Sequence, residues 1–222
     1  MEKPKLQIAL DTFDLPSALD PLQRAQGSID VIEVGTILCL AEGMRAVQAI
    51  KALFPHKPVL ADVRIAEAGG IIAEMCFDAG ADWVSVVSGA APTTPEVVFK
   101  KAAARGCDVQ IELSDGWTWE MAERWRDIGI SQIITKRSRD REIGGGELSW
   151  SQEDFDTVHK LHEMGYKVTV TGGIRAEDIG RFAGVPVDIF IVGRAICASS
   201  DPGRAAQIFQ RAISEAYGGA GA

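Results

Sequence analysis

Only four cysteines occur in the chain, Cys39, Cys76, Cys107 and Cys197, far apart and with no CxxC pair. They read as buried thiols of a protein in a reducing compartment, not as a disulfide framework. Histidine is rarer still. His56, His159 and His162 fall in a loop and on a helix, away from every strand end, so none is a candidate catalytic base. Positive charge is also short: 23 Lys and Arg face 31 Asp and Glu, for a net charge of -8. That balance excludes a nucleic-acid groove and an anionic membrane surface as partners. It does not exclude a phosphate ligand, because a small anion answers to local groups. No apolar run approaches the roughly 18 residues of a membrane span. Met1-Glu2-Lys3 and the short apolar run after it do not make a signal peptide, so the expected location is cytoplasmic.

What is present is ordinary globular material, 46% hydrophobic and 24% charged. A chain of 222 residues fits one domain and buries roughly 70% of its unfolded surface without staples. Eight short apolar runs alternate with amphipathic stretches: Leu6–Leu10, Val31–Val34, Val59–Ala61, Trp83–Val87, Val109–Leu113, Gln132–Thr135, Lys167–Val170 and Ile189–Val192. Rich in Val and Ile and mostly without polar alternation, they read as strands covered on both faces. Between them, Met44–Leu53, Glu67–Phe77, Trp119–Ile128 and Arg204–Ala216 carry apolar residues at helical spacing. Gly80, Gly129 and Gly165 follow predicted helix ends, where glycine lets the chain turn into the next strand. An open doubly wound sheet is the alternative. Eight consecutive units without a Gly-rich first turn favour a single-domain (β/α)8 TIM barrel over residues 1–217, with a flexible tail at 218–222.

In such a barrel, polar side chains at the C-terminal strand ends face the active-site mouth. Here Asp11 ends strand 1, Glu33 lies in strand 2, and Asp62 ends strand 3, followed by Arg64 and Glu67. Glu112 lies in strand 5, while Thr135, Lys136 and Arg139 close strand 6. A single acid there is usually a helix cap or a surface group. Several acids at the same end are a site, because a buried carboxylate costs several kcal/mol unless paired or metal-bound. Glu33 with Asp62 suits a hard cation such as Mg2+, which takes few protein oxygens and keeps waters or substrate. Neutralisation of these acids by Arg64 or Lys136 is the structural alternative.

Thr171-Gly172-Gly173 after strand 7 and Gly193-Arg194 after strand 8 precede predicted helices starting near Ala176 and at Arg194. Backbone amides in such turns form an anion site, to which an Arg adds charge-assisted bonds. Phosphate sites after strands 7 and 8 recur in this fold. Gly144-Gly145-Gly146 reads as a flexible turn in the loop after strand 6, and Trp117 and Trp119 as packing.

These residues resemble a known family. Ile32-Glu33-Val34-Gly35-Thr36, Leu60-Ala61-Asp62-x-Arg64, Asp108–Leu113, Arg137-Ser138-Arg139-Asp140 and Val168–Gly173 are similar to motifs of the 3-keto-L-gulonate 6-phosphate decarboxylase and hexulose 6-phosphate synthase family. That family belongs to the orotidine 5′-monophosphate decarboxylase suprafamily, and the likeness runs over essentially the whole chain. The resemblance implies a homodimer with active sites at the subunit interface and Mg2+ held by Glu33 and Asp62. It implies a phosphate bound by Thr171, Gly172, Gly173, Gly193 and Arg194. The reaction it implies passes through a cis-enediolate, reached by loss of CO2 or by proton abstraction before aldol addition. The chain departs from the family hallmark Asp-x-Lys-x-x-Asp, reading Asp62-Val63-Arg64-Ile65-Ala66-Glu67, and it has Lys136 where the decarboxylase branch carries His. Arg64 stays charged and holds an oxyanion but delivers no proton at neutral pH.

The leading expectation is a Mg2+-dependent decarboxylase of a phosphorylated β-keto sugar acid. Arg64 would support the oxyanion, Glu112, Lys136 and Arg139 would handle the proton, and Asp11 and Glu67 would orient substrate and Arg64. An aldolase or synthase, an epimerase of a ketose phosphate, and a non-catalytic sugar-phosphate binder are the alternatives.

Overall fold

The computed structural model describes residues 2–137 and 150–218. Arg139 and the Gly144–Gly146 run lie outside the described residues, as does all of the 218–222 tail except Gly218, which follows the last helix.

Eight parallel strands, each paired with its neighbours in chain order, close into a barrel. They are β1 (Lys5–Leu10), β2 (Val31–Val34), β3 (Val59–Ile65), β4 (Trp83–Val87), β5 (Asp108–Glu112), β6 (Gln132–Lys136), β7 (Lys167–Thr171) and β8 (Ile189–Val192). Around them run α1 (Leu15–Ala25), α2 (Thr36–Glu42), α3 (Met44–Leu53), α4 (Gly69–Asp78), α5 (Thr93–Ala103), α6 (Trp119–Asp127), α7 (Gln152–Glu163), α8 (Arg194–Cys197) and α9 (Pro202–Tyr217). A 3₁₀ segment, Ala176–Phe182, takes the place of a helix between β7 and β8. No helix among the described residues is long and apolar enough to cross a membrane.

Local chemistry starts the helices where the strands release the chain. Asp14 accepts the amide of Ser17 at the head of α1, Thr118 caps α6, and Ser151 with Asp154 forms a reciprocal capping box on α7. Each such cap contributes about 1 kcal/mol. Gly80, Gly129 and Gly165 all adopt positive φ behind their helices, as expected.

The apolar core lies between strands and helices. Leu6, Ile8, Leu10, Ile32, Val34, Val84, Val86, Val109, Ile111, Val168, Val170, Phe190 and Val192 pack outward against Leu22, Leu38, Ile50, Val98, Trp125, Val158 and Phe209. Full burial of each Leu, Ile or Val is worth about 1.5–3 kcal/mol. The strands are covered on both faces, as predicted, but the inner face is not uniformly apolar. Asp108-Val109-Gln110-Ile111-Glu112 and Lys167-Val168-Thr169-Val170-Thr171 alternate strictly. Inside the barrel β5 pairs with β6 through side chains, Gln110 with Gln132 and Gln132 with Asp108. A small apolar set, Ala9, Leu60, Ile134 and Ile191, fills the rest of the interior.

Several boundaries differ from the sequence expectation. Strand β3 continues past Ala61 to Ile65, with a shift of register against β4 between those residues, so Asp62 and Arg64 lie within the strand. Helix α4 starts at Gly69, not Glu67, because Ala68 is left-handed at φ 53° and breaks the helical path. Neither predicted helix behind the phosphate turns is a full one: one is the 3₁₀ segment and α8 has only four residues.

Candidate active site

A cavity of about 640 Å³ opens at the C-terminal ends of the strands. It brings together Asp11, Glu33, Asp62, Arg64, Glu112, Lys136, Thr171, Gly172, Gly173, Gly193 and Arg194. Glu67 is not among its lining residues and lies exposed between β3 and α4.

One half of the mouth is anionic and buried. Glu33 Oε2 accepts from Gln7 Nε2 at 2.6 Å. Asp62 accepts from Thr36 Oγ1 (2.7 Å) on one oxygen and from Ser85 Oγ (2.7 Å) on the other. The Arg64 Nε lies 3.2 Å from Glu112 Oε2 and 3.5 Å from Asp62 Oδ2. Lys136 Nζ sits on the other oxygen of Glu112, so one carboxylate serves two cations. Arg64 reaches these acids from an unusual backbone, φ 47°, held by a hydrogen bond from its amide to Ser85 Oγ at 2.8 Å. Gly35 lets β2 turn into α2 against Asp11: a Cβ there would lie 2.3 Å from Asp11 Oδ1.

The charges respond to this crowding. Burial, reinforced by Asp62, Asp11 and Glu112, pushes the Glu33 carboxyl well above the usual carboxylate range. For Arg64, burial opposes the charge, but the fields of Asp62, Glu112, Glu33 and Asp11 outweigh it and raise the guanidinium.

The other half of the mouth carries glycine turns and guanidinium groups, chemistry that suits an anion. Thr171 ends β7, and Gly172 and Gly173 follow with φ of 111° and 67°. Gly172 has no room for a side chain, since a Cβ would lie 2.6 Å from the backbone nitrogen of Arg137. Arg137 also clamps this turn, donating from Nε (3.1 Å) and Nη2 (2.7 Å) to the Gly172 carbonyl, with its guanidinium 5.1 Å above the Trp150 ring. Gly193 and Arg194, after the neighbouring strand β8, line the same cavity, as does Arg175. Because α8 is a single turn, an anion here would rest on the turns and guanidinium groups more than on a helix dipole.

Sequence reasoning missed Arg137, Arg175, Ser85 and Gln7. Arg137 and Arg175 follow strand ends, so the rule that found Lys136 and Thr171 reaches them. Ser85 and Gln7 lie deeper, and only period-two counting from Val87 and Ala9 would turn them inward.

Among the described residues no group of three or more His, Cys, Asp and Glu side chains forms a metal cage. The arrangement still suits Mg2+, which takes one or two carboxylates and leaves other positions to water and substrate. Glu33 and Asp62 offer hard oxygens in a mouth whose carboxylates repel one another, and a divalent cation relieves that repulsion.

Comparison with known proteins agrees with this geometry. Residues 4–209 match the family model described as orotidine 5'-phosphate decarboxylase / HUMPS. The chain is 47% identical over 218 residues to 3-keto-L-gulonate-6-phosphate decarboxylase UlaD of Escherichia coli, covering 98% of this chain and 100% of that one. It superposes on KGPDC from Streptococcus mutans, solved in complex with ribose-5-phosphate, with a TM-score of 0.94 at 36% identity, over 97% of this chain and 100% of the other. It also superposes on 3-hexulose-6-phosphate synthase from Salmonella typhimurium with a TM-score of 0.88 at 29% identity, over 96% and 100%. The chain therefore belongs to the orotidine 5'-phosphate decarboxylase / HUMPS family.

Proposed function

We propose that this chain, a carbon–carbon lyase, decarboxylates a phosphorylated β-keto sugar acid, 3-keto-L-gulonate 6-phosphate or a close relative, through a cis-enediolate. The observation that carries this reading is the two-ended mouth, with Gly and Arg turns suited to an anion at one end and buried carboxylates paired with Arg64 and Lys136 at the other. The 47% identity to a decarboxylase of that substrate supports it.

The roles follow from placement. Thr171, Gly172, Gly173, Gly193 and Arg194 hold the phosphate, which fixes the sugar along the cavity. Mg2+ on Glu33 and Asp62 would supply a Lewis acid for the oxygens that gain charge. As the bond from C2 to the carboxylate breaks, its electron pair passes into the enediolate, and the Arg64 guanidinium faces that charge. Lys136, an ammonium hydrogen-bonded to Glu112, then gives a proton to the carbon, directly or through one water, and regains it from solvent. Arg139, outside the described residues, is assigned to the same step. Asp11 orients the substrate hydroxyls.

We assign a cytoplasmic homodimer. Exposed Leu40 on α2 and exposed Ile71 and Met75 on α4 favour a partner surface. Glu67, exposed beside α4, would meet the partner subunit and its active site there.

The test is CO2 release from 3-keto-L-gulonate 6-phosphate by the purified protein with Mg2+. No release from this or any related phosphorylated 3-keto acid would sink the reading. The likeness to a hexulose-6-phosphate synthase favours a second reading, a lyase or epimerase using the same enediolate. Exchange of a ketose-phosphate proton with D2O without CO2 release would establish that one instead.

A further inference from the structure

The strand register stacks four inward side chains from alternate strands, Gln7 (β1), Leu60 (β3), Gln110 (β5) and Thr169 (β7), into one interior layer beneath the mouth. All four are 0% exposed. Three of them carry a polar atom without a hydrogen-bond partner: Gln7 Oε1, Gln110 Oε1 and Thr169 Oγ1. An unpartnered polar atom so deep costs about 1–3 kcal/mol, and three in one layer call for a common partner.

Turning the amides over does not remove the problem, because carboxylates anchor both glutamines. Gln7 donates from Nε2 to Glu33 Oε2 at 2.6 Å, so its carbonyl points away, and with the amide turned over its NH2 would be the group left without a partner. Asp108 accepts from Gln132 Nε2 at 2.7 Å, which turns the Gln132 carbonyl toward Gln110. Gln110 then donates to that carbonyl from Nε2 at 2.9 Å, and its own carbonyl is left over. The layer therefore presents two carbonyl acceptors and one hydroxyl.

We propose that this layer binds one ordered water, which donates to Gln7 Oε1 and Gln110 Oε1 and accepts from the Thr169 hydroxyl. Two donors and one acceptor are the complement that a buried water offers, and about three bonds are its usual number. A monovalent cation would satisfy the carbonyls but leave the Thr169 proton without an acceptor. The water has a consequence for the mouth. It holds the Gln7 amide from below while Nε2 holds Glu33 from above, so the orientation of that carboxylate depends on the interior of the barrel.

A crystal structure at a resolution that shows waters, together with the nearly isosteric Thr169→Val variant, tests the proposal. Density for one water within hydrogen-bond distance of all three atoms is expected. The sign of the stability change in Thr169→Val is diagnostic. If the hydroxyl had no partner, Val would leave the melting temperature unchanged or raise it; if it binds the water, Val lowers it by about 2–6 °C. Absence of the density, an anomalous peak there in thallium-soaked crystals, or an unchanged or raised melting temperature of Thr169→Val each overturns it.

Discussion

The amide of Arg64 donates to the hydroxyl of Ser85 at 2.8 Å, and that hydroxyl in turn donates to Asp62 Oδ1 at 2.7 Å. A single buried serine on β4 thus supports the left-handed backbone of Arg64 and aims the carboxylate two residues before it. Left-handed backbone in a non-glycine residue costs of order 1–3 kcal/mol and persists where the surroundings enforce it. Ser85 is the enforcing group here.

Ser85→Ala removes both bonds. We expect kcat to fall about 10–100-fold, the equivalent of one or two buried hydrogen bonds, while inhibition by inorganic phosphate, proposed to bind at the other end of the mouth, stays unchanged. Ser85→Thr, which keeps the hydroxyl, should recover most of the rate. Equal loss in both variants, or weaker phosphate inhibition, would point to a general packing defect instead.

Lys136 and Arg64 share Glu112. Replacing Lys136 by Met keeps much of the side-chain bulk but removes the proposed proton donor, and the expected fall in kcat is about 10²–10⁴-fold. Because the phosphate turns are untouched, KM should change little. Steady-state CO2 release with the two variants Lys136→Met and Lys136→Arg separates donation from charge: Arg restores the ion pair but cannot give up a proton near neutral pH. A fully active Lys136→Arg enzyme would exclude Lys136 as the donor.

Gly172 is pressed against the backbone of Arg137 at a φ of 111°. Gly172→Ala must displace the turn proposed to hold the phosphate. The expected signature is a KM raised about 10-fold or more with a smaller change in kcat, since phosphate binding contributes before the chemical step. Isothermal titration with inorganic phosphate gives the same comparison without turnover.

Glu33 carries a pH dependence of stability. Burial first, then Asp62, raise its carboxyl above the ordinary value of 4.5, so the folded chain keeps a proton that the unfolded chain has lost. Its contribution is complete below that ordinary value and is lost as pH rises through the raised one. Without Mg2+, Glu33→Gln, which does not titrate, should therefore gain melting temperature relative to the unsubstituted protein as pH rises above the ordinary carboxyl value of 4.5. Parallel pH profiles for the two proteins would show that the carboxyl is not shifted. Added Mg2+ should stabilise the unsubstituted protein more than the variant.

Much of this was legible in the residues. The eight apolar runs and the punctuation by Gly80, Gly129 and Gly165 announce repeated strand–helix units, because hydrophobic period and backbone freedom act over a few residues. The acids and glycines of the mouth stand out for a related reason: Glu33 within a run of Val and Ile has no local use. The interior partners were less visible. Ser85 and Gln7 read as ordinary polar residues of apolar strands until their strands are placed side by side. Glu67 followed the motif on paper but is exposed on the loop between β3 and α4, because Ala68 turns left-handed and delays α4.

Residue type and local spacing set the alternation of elements, the glycine turns after β7 and β8 and the acidic strand ends, since each depends on side chains within one segment. Closure of the sheet decided the rest. Lys136 meets Glu112 across 24 residues of chain, and Gln7 meets Glu33 across 26. Such distances are set by strand register, a property of all eight strands together and of the helices that press them into a barrel.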